Sequence, residues 1–292
     1  MRCVIFAYDF PHWKSWLGIQ EIALSGFSDL LVLAAPRVSL TSPPSSIVTR
    51  TRKVPSGHPS DVCRILGIDY VAMPHAGPDC EELLTSYHAD VGIILGARIL
   101  PEGTLRASGC GIINIHPGIL PENRGLDNVA WAVEKGWPQG VAAHVITIGR
   151  IDAGPLLGMY VLRQLDADEC LVEISARLDS LQLCLLFQVT HSLVLADHLP
   201  SGVASPDPGP YHSYFSGSET YLAARLEDYR QRYSAIVNDW ALDEADLIRS
   251  LGLKFGWAEA LDTPIHSVAH HKSGRGDHSY GAGPDGAARR DC

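Results

Sequence analysis

The stretch VGIILGARILPEGTLRASGCGIINI, residues 91–115, decides the fold. Its two ends are short apolar runs that fit strands buried on both faces, and a helical turn near Pro101 to Leu105 separates them. Similar apolar runs lie at Cys3–Tyr8, Leu30–Ala35 and Tyr70–Met73, with helical patterns between them. Strands that alternate with helices at such short spacing predict an α/β protein, a parallel sheet wrapped by helices.

The second half of the chain continues the alternation and then changes character. We predict a helix over Arg124–Lys135, strands over Gly140–Ile148 and Leu156–Leu162, and a long helix over Asp168–His198. The Pro-, Gly- and Ser-rich run 201–210 is typical of a linker. Beyond it we expect helices at Tyr221–Tyr233 and Asp243–Leu251, and disorder over 262–292, where large apolar residues are few.

Composition excludes several classes of partner. The chain carries 33 acidic and 23 basic residues, a net charge of −10, whereas nucleic-acid binding needs clustered Lys and Arg. Its apolar runs are shorter than the about 18–20 residues of a membrane span. Seven scattered cysteines without metal-ligand spacing indicate reduced thiols. We therefore expect a cytoplasmic protein with no nucleic-acid partner, no membrane association and no metal.

Polar residues of catalytic type follow two of the predicted strands. Asn114 and His116 alternate at the end of the apolar run 111–115, so they share one strand face. Pro117 and Gly118 give the next loop a fixed, non-helical shape. Asp152 lies in the turn between the strands Gly140–Ile148 and Leu156–Leu162. Because ligands bind beyond the carboxyl ends of parallel strands, these side chains are placed for chemistry.

The motifs resemble a known family. The run Asn114-x-His116-Pro117-Gly118-x-Leu120-Pro121-x-x-Arg124-Gly125, with Ile151-Asp152-x-Gly154 downstream, is similar to the folate-dependent formyltransferases. Their members include methionyl-tRNA, glycinamide ribonucleotide and sugar N-formyltransferases. The resemblance covers about residues 1–200 and implies a Rossmann-like, mostly parallel sheet whose edge turns antiparallel near Leu156–Leu162. It leaves 201–261 as a small helical addition, which we interpret as a candidate dimerisation element.

The resemblance also implies which residues bind the formyl carrier, N10-formyl-tetrahydrofolate, and the acceptor. The carrier residues on two loops are Ala97, Arg98, Ile99, Leu100, Ile148, Gly149 and Arg150. The acceptor residues are Pro117, Gly118, Arg124 and Asp127. Arg98 and Arg124 have an alternative interpretation as side chains that brace their loops, and His144, on an apolar strand, is interpreted as structural.

The predicted catalytic residues are Asn114, His116 and Asp152, because formyl transfer to an amine passes through a tetrahedral intermediate whose oxygen becomes negative. Asn114 and a protonated His116 can donate hydrogen bonds to that oxygen. Asp152 can hold His116 in the useful protonation state, or order a water that moves the proton. The chemistry needs no covalent enzyme intermediate.

Departures from the family patterns narrow the range of possible acceptor substrates. Asp9 to Lys14 replace the small Gly/Ser-rich loop of the glycinamide ribonucleotide enzymes, and the acidic chain is unsuited to tRNA. We therefore expect a small amine, such as an amino sugar or an amino-acid-derived metabolite. Two alternatives remain open: a transferase or cyclase with another one-carbon or acyl donor, and a folate-binding protein without turnover.

Overall fold

The structure, a computed structural model, describes residues 1–39, 56–204 and 209–243. All but the first residue of the helix expected at Asp243–Leu251, and the tail 262–292, lie outside these residues. Nine strands are present in the described part: β1 (Arg2–Tyr8), β2 (Asp29–Ala35), β3 (Asp69–Ala72), β4 (Val91–Ile94), β5 (Gly111–His116), β6 (Arg124–Gly125), β7 (Gly140–Val145), β8 (Leu156–Val161) and β9 (Tyr211–His212).

Seven of these strands form one sheet in the order β3-β2-β1-β4-β5-β7-β8. Strands β1 to β5 are parallel to their neighbours, and β7 is antiparallel to both β5 and β8. The predicted α/β class, a mostly parallel sheet with an antiparallel edge, is confirmed. Strand order reverses between β1 and β4, and such a switch point opens a crevice at the carboxyl ends of the strands.

Helices cover both faces of the sheet: α1 (Trp13–Leu24), α2 (Pro59–Leu66), α3 (Pro78–Tyr87), α4 (Glu102–Ala107), α5 (Asn128–Lys135), α6 (Leu171–Ala196) and α7 (Glu219–Asp243). Alternate β1 side chains enter opposite cores, as the strand period requires. Ile5 packs in the larger cluster with residues of α1, α2 and α6. Phe6 packs in the smaller cluster with Cys80 and Leu84 of α3.

The predicted helix over Arg124–Lys135 is wrong in its first turn. Arg124 and Gly125 form β6, which pairs in parallel with β9. Gly125 and Asp127 have left-handed φ angles of 101° and 51°, which a right-handed helix excludes, so α5 begins at Asn128. Helix α3 was not predicted, because only Cys80 and Leu84 of its ten residues are buried.

Two long helices complete the core. Helix α6 is long and apolar enough to cross a membrane by length and composition, but its apolar residues at helical spacing, including Leu178, Leu181 and Leu185, are packed inside the protein. Helix α7 joins the same core, and its Tyr233 hydroxyl donates to the Leu162 carbonyl at 2.9 Å. Helix α7 therefore packs directly on the β8 edge of the sheet, where its Trp240 packs in one cluster with Val161.

Candidate active site

The carboxyl end of β5 carries Asn114 and His116. Strand β7 lies beside it with Asn114 opposite His144. Asn114 is half-buried, whereas the His116 side chain is only 4% exposed. The two predicted residues therefore share a strand end but differ in their access to ligands.

Both ring nitrogens of His116 face polar groups of the protein. Nε2 lies 2.8 Å from the Asn123 carbonyl oxygen and 3.1 Å from Asn128 Nδ2. In the Nε2–H tautomer, which is assigned from these contacts, Nε2 donates to the carbonyl. The Asn128 side-chain amide donates to the same oxygen at 2.9 Å. Nδ1 faces Asp152 Oδ2 at 3.6 Å, which is longer than a hydrogen bond. A neutral ring with an unprotonated Nδ1 satisfies both distances.

Asp152 lies in a tight turn that aims its carboxylate at the histidines. Its backbone φ is 48°, a left-handed conformation that Asp tolerates better than most residues. Oδ2 accepts from the Gly125 N–H at 3.2 Å, and Oδ1 lies 3.5 Å from His144 Nε2. A Cβ at Gly154 would lie 1.7 Å from the Val145 carbonyl oxygen, so the close approach of this turn to β7 requires glycine.

The charges of the cluster follow from these contacts. Burial raises the pKa of Asp152, but the His116 and His144 rings and the Gly125 N–H outweigh burial and bring that pKa to about 2. Burial lowers the pKa of His116, and the opposing effect of the Asp152 charge does not fully compensate. The site at neutral pH therefore combines an ionised carboxylate with an imidazole whose neutral form is favoured.

A cavity of about 520 Å³ opens in front of Asn114 and Asp152. Residues 97–102, in the β4–α4 segment, line one wall, and residues 146–152, in the β7–β8 loop, line the other. Ile99, Ile148 and Ile151 expose 71%, 44% and 37% of their surface. Exposed isoleucines on facing walls are suited to a flat apolar ring.

All seven residues predicted for the carrier line this cavity: Ala97, Arg98, Ile99, Leu100, Ile148, Gly149 and Arg150. Two of the three predicted catalytic residues, Asn114 and Asp152, line it as well. His116 lies behind Asp152. The structure thus brings two loops about 50 residues apart in sequence around one opening.

His144 was interpreted as structural, yet it belongs to the polar cluster. Its side chain is fully buried. Nε2 lies 3.4 Å from Asn114 Nδ2 and 3.5 Å from Asp152 Oδ1. The antiparallel pairing of β5 with β7 places His144 in the cluster. A correct prediction of the strand order would have identified this residue.

The predicted acceptor residues lie on the segment between β5 and α5. Arg124 donates through Nε to the Ile151 carbonyl at 2.9 Å and through Nη1 to the Gly209 carbonyl at 2.6 Å, which favours its bracing interpretation. Asp127 Oδ2 accepts from the Phe215 N–H at 2.9 Å. Gly118 follows Pro117, and a Cβ there would lie 2.6 Å from the Asn123 carbonyl oxygen. Contact of these four residues with an acceptor stays a prediction.

The fold and the site define an α/β protein with an Asn-His-Asp cluster at the carboxyl edge of its sheet. A model of the formyl transferase family matches residues 32–190. The chain belongs to the formyl transferase family, and the resemblance found in its motifs is confirmed.

Curated relatives include several methionyl-tRNA formyltransferases. That of Myxococcus xanthus is 30% identical over 123 residues, 41% of this chain and 35% of the relative. That of Methylococcus capsulatus is 26% identical over 253 residues, 84% of this chain and 80% of the relative. The chain spans 35%, 24% and 40% of three of the relatives that it matches.

Solved structures share the fold at low identity. A sugar N-formyltransferase from Shewanella has a TM-score of 0.51 and 16% identity, covering 73% of this chain and 76% of its own. An N-formyltransferase from Helicobacter canadensis, in complex with folinic acid and dTDP-3-aminofucose, has a TM-score of 0.53 and 13% identity, covering 78% and 80%.

Proposed function

We propose that this protein is a cytoplasmic N-formyltransferase that moves the formyl group of N10-formyl-tetrahydrofolate to the amine of a small metabolite. One observation carries the proposal: Asn114 and Asp152 line the same cavity as all seven residues predicted to hold the carrier. The carrier's flat pterin ring would lie between the walls that bear Ile99 and Ile148. Membership of the formyl transferase family supports the reaction class.

In this proposal Asn114 stabilises the transition state. The acceptor amine nitrogen attacks the formyl carbon, and the carbonyl oxygen becomes an oxyanion. The Asn114 side-chain amide donates to that oxygen, and the removal of one such donor typically costs about 100–1000-fold in rate. The bond from carbon to N10 then breaks, and the amine's proton ends on N10.

The proton leaves the attacking amine through Asp152. Its carboxylate is ionised at neutral pH, lines the cavity and faces the unprotonated Nδ1 of His116. Asp152 accepts the proton, and His116 Nδ1 holds it until N10 departs. His116 thus acts behind Asp152, since its Nε2 is engaged with the Asn123 carbonyl. His144 fixes the orientation of the other carboxylate oxygen.

A small amine is favoured over a tRNA as the acceptor. The net charge of −10 opposes binding to a polyanion. Amino sugars are a suitable first class to test, because one neighbour of similar fold was solved with dTDP-3-aminofucose. Amino-acid-derived amines form the second class. We propose residues 1–200 as the catalytic region, with 201–261 as its helical addition.

The test incubates the protein and N10-formyl-tetrahydrofolate with a panel of amino sugar nucleotides and amino-acid-derived amines, followed by mass spectrometry. We expect one product that gains a formyl group, and its loss in Asn114→Ala. Titration of folinic acid into Asn114→Ala checks that the carrier still binds. Carrier binding without any transfer, across acceptors and a tRNA control, would favour the non-catalytic alternative. No carrier binding would refute the donor assignment.

A further inference from the structure

Lys14, in the first turn of α1, reaches into the base of the candidate site. Its ammonium donates to the Ile115 carbonyl at 2.6 Å and to Gln182 Oε1 at 2.9 Å. Gln182, on α6, is 2% exposed. One ammonium therefore joins α1, β5 and α6 at the residue that lies between Asn114 and His116.

The divergence of two strands explains why Ile115 needs this partner. The register between β4 and β5 ends at Ile94 opposite Asn114. The next two β4-side residues, Leu95 and Gly96, turn to β1 and donate to the Phe6 carbonyl at 2.9 and 3.0 Å. The Ile115 carbonyl comes one residue after the last paired position. A buried carbonyl must be hydrogen-bonded, and Lys14 supplies the donor that β4 no longer provides.

The same ammonium lies close to the His116 ring. Charged or titratable groups face that ring from three elements: Asp152 from the β7–β8 loop, His144 from β7 and Lys14 from α1. The Asp152 charge raises the pKa of His116, whereas burial, His144 and Lys14 lower it. Lys14 therefore acts against Asp152 on the same ring.

We propose that Lys14 is a positioning residue, which fixes the carboxyl end of β5, and with it Asn114 and His116, through the carbonyl of the residue between them. Its positive charge also opposes protonation of the His116 ring. This role rests on the proposed formyl transfer, but its electrostatic part concerns the resting protein alone.

The experiment measures the titration of His116 by NMR in protein with ¹⁵N-labelled histidine, where His116→Gln assigns the signal. Lys14→Met keeps the length of the side chain and removes the charge, and we expect a resolved upward shift of the His116 midpoint. Lys135→Met, the same change at an exposed position of α5, should leave that midpoint in place. Lys14→Arg keeps the charge and should stay near the wild-type midpoint.

Activity gives the second readout. The acid limb of the kcat–pH profile should move upward with the His116 midpoint in Lys14→Met, so that kcat falls most on the acid side of neutrality, with KM for the carrier little changed. A lower kcat with an unmoved His116 midpoint would show a merely structural role and overturn the proposal. Because the titration needs neither carrier nor acceptor, it stands or fails separately from the proposed transfer.

Discussion

The cavity walls and the cluster behind them differ in what they expose. Ile99 and Ile148 leave 71% and 44% of their surface open to solvent, whereas His116 and His144 are 4% and 0% exposed. The walls offer apolar surface for a ligand to cover, and the cluster offers fixed charges whose partners are all within the protein. In the proposed function recognition and chemistry thus fall to different residues, and changes in the two regions should affect different kinetic constants.

The largest effect is expected at the carboxylate. Asp152→Asn preserves the shape of the side chain but removes the proton acceptor, so kcat should fall about 10³-fold, with KM for the carrier changed little. Steady-state kinetics measure both constants. A large increase in KM with a near-normal kcat would show that Asp152 binds the carrier instead of taking part in the chemistry. The cavity walls and the cluster would then not differ in function.

Next in size is the turn that positions Asp152. Gly154→Ala places a Cβ against the Val145 carbonyl, so we expect a loss of about 1–3 kcal/mol in the free energy of unfolding and a fall in kcat of about tenfold or more. Gly103→Ala is the matched control, because its φ is likewise not positive and the atom nearest to the added carbon is the end of the flexible Glu81 side chain rather than backbone. Urea unfolding should separate the two variants, and equal losses would show that the turn has room.

A smaller effect is expected in the walls. The double change Ile99→Ser and Ile148→Ser removes apolar surface from both sides of the cavity, and KM for the carrier should rise about tenfold with kcat within about twofold. Leu24→Ser, at a position 77% exposed outside the cavity, is the control. A KM that stays constant would show that the carrier binds elsewhere.

The smallest effect concerns stability against pH. The pKa of His116 is lower in the folded protein than in the unfolded chain, so below about pH 6.5 the unfolded chain binds more protons and the free energy of unfolding falls as pH falls. His116→Gln should weaken this dependence between pH 7.5 and 5.5. His75 and His212, whose pKa values burial also lowers, should supply the remaining slope. An unchanged slope would indicate that folding does not shift the pKa of His116.

Local sequence patterns predicted the sheet because each strand is a short apolar run of its own. The cavity walls, residues 97–100 and 148–150, were instead predicted from the family resemblance, and they are contiguous loops that follow two such runs. The local patterns placed Asn114 and His116 on one face, because alternation is a property of a single strand. Local patterns could not predict which segments lie close together in space.

His144 and Lys14 show where the local patterns stop. His144 lies on an apolar strand and Lys14 on an amphipathic helix, so each resembles an ordinary residue of its element. His144 belongs to the site because β7 pairs with β5. Lys14 contacts the site because β4 and β5 diverge and leave the Ile115 carbonyl without a partner on β4. Likewise β6 exists only because β9, more than 80 residues later, pairs with it.

The sequence by itself determined the α/β class and the family motifs, and with them the residues predicted to carry the chemistry, because these depend on short-range periodicity and on residue type. Only the tertiary structure decided the orientation of His116 toward Asp152 and Asn123, the membership of His144 and the contact of Lys14 with Ile115. The physical reason is that burial and charge act through space. Both the pKa of a side chain and its hydrogen-bond partner depend on neighbours that the order of residues does not specify.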